Sequence, residues 1–122
     1  MKVAVTATEP SLEAEVDPRF GRCACFVIVE TDDMSMEALE NASGSLGGGA
    51  GIQAAQLMAQ RGVRHVLTGS VGPNAHRTLS AAGIEIALGL SGTVSQAIEL
   101  FKAGRLRAAD GPNAASHAGL GR

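Results

Sequence analysis

The chain has 122 residues, a net charge of −2, and an apolar share of 45% with no Trp or Tyr and only three Phe. That length suits one domain that buries roughly two thirds of its unfolded surface, with a core of Ala, Val, Ile and Leu. The acidic balance argues against general nucleic-acid binding, and the absence of a long apolar run argues against a membrane span.

Residues 2–8 read as a first strand, followed by a polar, acidic loop to about Arg19. Residues 23–31 form a second expected strand, Asp32-Asp33 a turn, and residues 35–40 a third, edge-like strand. A loop rich in Gly and Ser spans 41–49. Three helices follow, at 50–61, 73–82 and 94–103, stopped by Gly62, Gly83 and Gly104. Pro73 opens the second helix, and Thr93-Val94-Ser95-Gln96 is a capping-box pattern for the third. Between the helices lie strands at 64–68 and 84–88, each leading into Gly-x-x-Gly and a helix start. The first 107 residues make the domain; the Gly- and Ala-rich stretch 108–122 lacks periodicity and is expected to be a flexible tail.

The order β-β-β-α-β-α-β-α joins an antiparallel meander to right-handed parallel crossovers. It predicts a five-stranded mixed sheet of order 3-2-1-4-5 with three helices, an RNase H-like three-layer α/β sandwich. Such sheets bind ligands at the carboxyl ends of their parallel strands, where the crossover direction switches. Strands one and four end there, the first two helices begin there, and the antiparallel second strand starts there. The rim so defined holds Arg19, Phe20, Gly21, Arg22 and Cys23 from one segment. Gly48, Gly49, Ala50 and Gly51 come from the first helix start, and Gly69, Gly72, Pro73, Asn74 and His76 from the second. Helix starts with bare glycine amides favour anions, and two guanidiniums add charge and forked donors.

Both cysteines fall in one run, Arg22-Cys23-Ala24-Cys25. In an extended strand their Cβ atoms stand roughly 6.6 Å apart, too far for a disulfide, and two sulfurs cannot complete a tetrahedral metal site. Free thiols and the lack of a signal peptide suggest a reducing, cytoplasmic setting. As i and i+2 residues the two share a strand face. Cys25 is expected to be a small buried hydrophobe, and Cys23, beside Arg22, to be partly exposed with a lowered pKa, the candidate metal ligand. His65, His76 and His117 are dispersed, without zinc-type spacing. No carboxylate cluster for two-metal hydrolysis, Ser-His-Asp set or Walker motif appears, which favours a carrier over an enzyme.

Several segments together resemble the dinitrogenase iron-molybdenum cofactor biosynthesis family. These are Met1-Lys2-Val3-Ala4-Val5, Asp17-Pro18-Arg19-Phe20-Gly21-Arg22, Gly48-Gly49-Ala50-Gly51-Ile52-Gln53-Ala54-Ala55, Gly69-Ser70-Val71-Gly72-Pro73-Asn74-Ala75 and Gly92-Thr93-Val94-Ser95-Gln96-Ala97-Ile98. The resemblance implies non-covalent binding and carriage of an anionic molybdenum-containing sulfide cluster, either an Fe–Mo–S nitrogenase-cofactor precursor or a Mo–Cu–S cluster. The latter is what the similar orange-protein branch of sulfate-reducing bacteria holds. Partners implied are the metal–sulfur cluster and its donor or recipient proteins, with the chain a monomer or weak homo-oligomer. The second cysteine departs from the family pattern and keeps thiolate ligation open. The alternative function is a regulatory module that binds a small anion or nucleotide at the same glycines.

Overall fold

The computed structural model describes residues 1–42, 49–109 and 111–113. Among these the chain forms β1 (Lys2–Ala7), β2 (Cys25–Glu30), β3 (Ser35–Glu40), α1 (Ala50–Gln60), β4 (Val63–Leu67), α2 (Pro73–Ala81), β5 (Glu85–Ala87) and α3 (Val94–Lys102). The sheet order is β3-β2-β1-β4-β5, as the connection rules require. β1, β2 and β3 pair antiparallel, while β4 pairs parallel with both β1 and β5.

The strand alternation sorts the core into two layers. Val3 and Val5 of β1, with Val27 and Val29 of β2, face Val94, Ala97 and Ile98 of α3. Ala4, Phe26, Ile28 and Val66 face the other way, onto Ala54, Ala55 and Met58 of α1 and Leu79 of α2. Two helices therefore cover one face and one helix the other, making the three-layer α/β sandwich. Each fully buried Val, Leu or Ile contributes about 1.5–3 kcal/mol relative to exposure, so these two clusters hold the sheet in place.

Local chemistry sets the element ends. Gly62, Gly83 and Gly104 have φ between 71° and 77°, the left-handed conformation that ends a helix at little cost only for glycine. At α3 the capping box is complete: the Gln96 amide donates to Thr93 Oγ1 at 3.1 Å and the Thr93 amide to Gln96 Oε1 at 2.9 Å.

The main departure from expectation lies at the start of β2, which begins at Cys25 instead of Cys23. The chain turns at Gly21 and Arg22, and the Asn41 side chain donates to Gly21 O at 3.0 Å and to Cys23 O at 2.9 Å. Those bonds hold Cys23 outside the ladder, whose last register pairs are Ala7↔Cys25 and Cys25↔Glu40. Beyond α3, the Ala109 amide donates to Ile86 O at 2.7 Å, and Asn113 bonds to the loop after β4.

Candidate functional site

At the carboxyl ends of β1 and β4 two threonines are fully buried. Thr6 donates its hydroxyl hydrogen to Asp17 O at 2.7 Å, so Thr68 supplies the hydrogen of the 2.8 Å bond between their oxygens. This ties the loop after β1 to the edge where β4 ends. Asp17 organises the next residues. One carboxylate oxygen accepts from the Arg19 amide at 3.1 Å and lies 3.8 Å from Arg19 Nε, while the other accepts from the Ala24 amide at 3.4 Å. Asp17 is buried, but the Arg19 side chain is 62% exposed and its guanidinium remains presented to solvent. Arg22 is exposed as well, and Arg19 Nη2 donates to its carbonyl at 3.4 Å.

The segment Pro18–Phe20 runs beside the loop following β4 like a short parallel strand. The Phe20 amide donates to Ser70 O at 3.1 Å and Ser70 Oγ to Pro18 O at 2.7 Å. Glycines permit this approach. A Cβ on Gly69 would sit 2.8 Å from the Cα and O of Pro18, and one on Gly21 would sit 2.9 Å from Gly51 Cα. A Cβ on Gly51 would in turn sit 3.0 Å from Ala75 Cβ. The loop, the start of α1 and the start of α2 thus meet at backbone distance.

The two helix starts at this edge lack side-chain caps. Gly49 caps α1 with φ 83°, Gly72 caps α2, and neither helix carries an acidic residue in its first turn. The helix on the opposite face, α3, is the one closed by its own side chains. Helix starts without a side-chain cap or an acidic first turn keep their partial positive charge, the arrangement that favours an anion.

Of the residues expected at the rim, Arg19, Gly21, Arg22, Gly49, Gly51, Gly69, Gly72, Pro73 and Asn74 belong to the segments that meet here. Ala50 is buried beneath the start of α1. Phe20 is in the core, its ring 5.6 Å from that of Phe26, so only its backbone reaches the rim. His76 lies against a hollow of about 350 Å³ shared with Ser80, Glu85, Ile86 and Ala109, on the side of α2 facing β5. A smaller hollow of about 130 Å³ lies between β5 and residues 104–108. Both lie along β5, away from the crevice that the glycines and arginines frame. Gly48 falls outside the described residues.

Cys23 needs correction. It is 2% exposed, and its thiol donates to Phe20 O at 3.2 Å. Burial, reinforced by the negative charge of Asp17 and then by Cys25, pushes its pKa up to about 12, opposite to the expected lowering. The neighbouring Arg22 is exposed and does not offset that desolvation. Nor do the thiols share a face: Cys23 packs in the α1–α2 layer and Cys25 in the α3 layer. The pKa of Cys25 is raised too, first by burial and then by Asp17. Among the described residues, no group of three or more His, Cys, Asp and Glu is placed to hold a metal ion.

The raised thiols have a measurable consequence. Well below pH 9 a thiol is protonated in both the folded and unfolded chain and adds no pH dependence. As pH rises from about 9 toward 12, Cys23 ionises in the unfolded chain before it does in the folded one, so stability falls, by up to about 1.4 kcal/mol per pH unit from this thiol. Urea midpoints followed by circular dichroism from pH 8 to 11.5 should fall, and Cys23→Ala should flatten the fall. At pH 8 native Cys23 should react with a chromogenic disulfide reagent about 1,000-fold more slowly than free cysteine, from ionisation alone. Rapid native labelling at Cys23 would contradict the burial.

Sequence analysis missed Asp17 and Asn41 as organisers of the loop. Their only sequence signal is residue type, Asp and Asn being the side chains that satisfy backbone amides and carbonyls in loops.

Residues 1–104 match the family profile described as dinitrogenase iron-molybdenum cofactor. The chain belongs to that family. Membership places it among cofactor-binding and carrier proteins rather than enzymes. The apo form of the orange protein from Desulfovibrio gigas is similar, with 48% identity and a TM-score of 0.90 over 92% of this chain and 95% of that one. A Thermotoga protein, TM1290, described as a candidate NifB protein, is 34% identical with a TM-score of 0.77, covering 88% of this chain and 91% of its own. An uncharacterised protein of Methanocaldococcus jannaschii, MJ0580, is 30% identical over 87% of this chain and 89% of its own. No described helix is long and apolar enough to cross a membrane.

Proposed function

We propose that the chain binds and carries, non-covalently, an anionic molybdenum-containing metal–sulfur cluster in the crevice between the Arg19–Arg22 turn and the starts of α1 and α2. The cluster is cargo, of Mo–Cu–S or Fe–Mo–S type, received from and passed to partner proteins. The observation that carries this reading is the pairing of two uncapped, acid-free helix starts with exposed Arg19 and Arg22, in a chain whose cysteines are buried. A sulfide-capped cluster presents anionic sulfur on its outside, so amide donors and guanidinium forks match it without a coordinating side chain. Family membership and the similarity to the orange protein support the same class of cargo.

The chain has no Trp or Tyr, so the apo protein scarcely absorbs near 280 nm and a bound cluster is read directly from its visible bands. Apo protein mixed anaerobically with tetrathiomolybdate and copper(I), then desalted, should emerge coloured with molybdenum and copper in fixed ratio to protein. A colourless, metal-free product after desalting sinks the reading. Saturable retention of phosphate or nucleotide in place of the sulfide species would instead identify a small-anion module.

A further inference from the structure

The loop between β4 and α2 is gripped from two sides; beside the Gly89 amide, which donates to Gly69 O at 2.9 Å, a further grip comes from the far end of the described chain. On the first side Pro18–Phe20 pairs with Ser70, as set out above. On the second, Asn113 Nδ2 donates to Gly69 O at 3.0 Å, and Asn113 Oδ1 accepts from the Val71 amide at 2.8 Å. The Asn113 backbone amide adds a bond to Val71 O at 3.2 Å. In a parallel ladder, one residue's N–H and C=O engage the carbonyl of residue i and the amide of residue i+2 on the neighbouring strand. The Asn113 side-chain amide reproduces that pattern on Gly69 and Val71, so the loop is bonded alternately left and right as a central strand is.

We infer that Asn113 is a positioning residue for the anion-binding crevice, holding the Gly69–Gly72 loop so that the amides at the start of α2 are already aimed when the cluster arrives. This rests on the cluster-carrying reading of that crevice. Three features single Asn113 out. It lies beyond residue 104, where the family match ends. It touches the loop immediately before the Gly72 cap of α2. It is itself exposed, so its bonds add little to global stability and act on the local geometry of the loop. Val71 is anchored below by its buried side chain, and Gly69 O accepts from the Gly89 amide at 2.9 Å as well as from Asn113, so the Val71 amide is the group of this loop whose hold depends on Asn113. Fixing a binding loop in advance removes an ordering cost from association.

The test uses the full chain at a temperature where wild type and variant are both folded. Asn113→Ala should speed hydrogen exchange of the Val71 amide in the ligand-free protein by about tenfold or more. It should also weaken uptake of tetrathiomolybdate with copper(I) by about tenfold while leaving the thermal midpoint nearly unchanged. Asn113→Asp keeps the acceptor for Val71 but loses the donor to Gly69 and adds charge beside an anion, so its uptake should be at least as weak as that of Asn113→Ala. Wild-type uptake matched by Asn113→Ala overturns this inference and leaves the carrier reading standing, as does an unchanged Val71 exchange rate or full uptake by Asn113→Asp. Failure of the wild-type chain itself to take up the probe overturns the carrier reading, and with it the assignment of Asn113 to that site.

Discussion

Alanine at both Arg19 and Arg22 should weaken uptake of the thiomolybdate–copper probe by about 100-fold, while Cys25→Ala stays within about threefold of wild type. A charge-assisted hydrogen bond contributes about 1.5–3 kcal/mol when water is excluded and less at an exposed site, so two guanidiniums at this rim supply roughly 2–3 kcal/mol together. Asp17 partly offsets Arg19, and the pair should be more damaging than either single change. Because both arginines are exposed, added salt should weaken wild-type uptake more steeply than that of the double variant. Titration of the visible bands at two ionic strengths checks all three statements. Loss of uptake in the cysteine variants with none in the arginine pair would make thiolates the ligands and overturn the charge-based grip.

The second large effect is steric. Gly69→Ala and Gly21→Ala each place a Cβ under 3.0 Å from backbone atoms, Pro18 in the first case and Gly51 in the second. Backbone cannot swing aside as a side-chain tip can, so each substitution should cost about 1–3 kcal/mol. For a chain of this size that lowers the thermal midpoint by about 4 °C per kcal/mol. The two sites anchor opposite ends of the Pro18–Gly21 segment, so the double variant should depart from additivity. Gly111→Ala, where an added Cβ meets nothing within 4 Å, is the control and should melt with wild type. Midpoints of Gly69→Ala and Gly21→Ala within a degree of wild type would mean that the loop does not approach as closely as described.

These glycines show where sequence reading reaches its limit. The architecture was legible because its signals are local. Gly62, Gly83 and Gly104 stop helices, Thr93 and Gln96 cap one, and right-handed crossovers leave little choice of strand order. The convergence of the Phe-Gly-Arg turn with two helix starts was legible for the same reason, since topology alone brings strand ends to one edge. What each glycine does there was not. Gly21, Gly51 and Gly69 read as amide donors for an anion, yet each also removes a clash with a residue 24 or more positions away, which no local pattern encodes. Cys23 was misjudged because two residues in a strand register look alike until Asn41, 18 positions on, pulls one of them out of the ladder. Asn113 carries no periodic signal at all; its partners lie more than forty residues upstream.

Keeping both sulfurs inside the protein also governs how a cargo would leave. Copper(I) captured by a cysteine thiolate departs by ligand exchange, one metal at a time, onto another soft donor. A cluster gripped by N–H groups and guanidinium forks has no coordination bond to the protein to break, so it can depart whole, its metal ratio and oxidation states unaltered. The thiols of Cys23 and Cys25, buried on opposite sides of the sheet, would not be placed to strip copper from a Mo–Cu–S cargo on its way out.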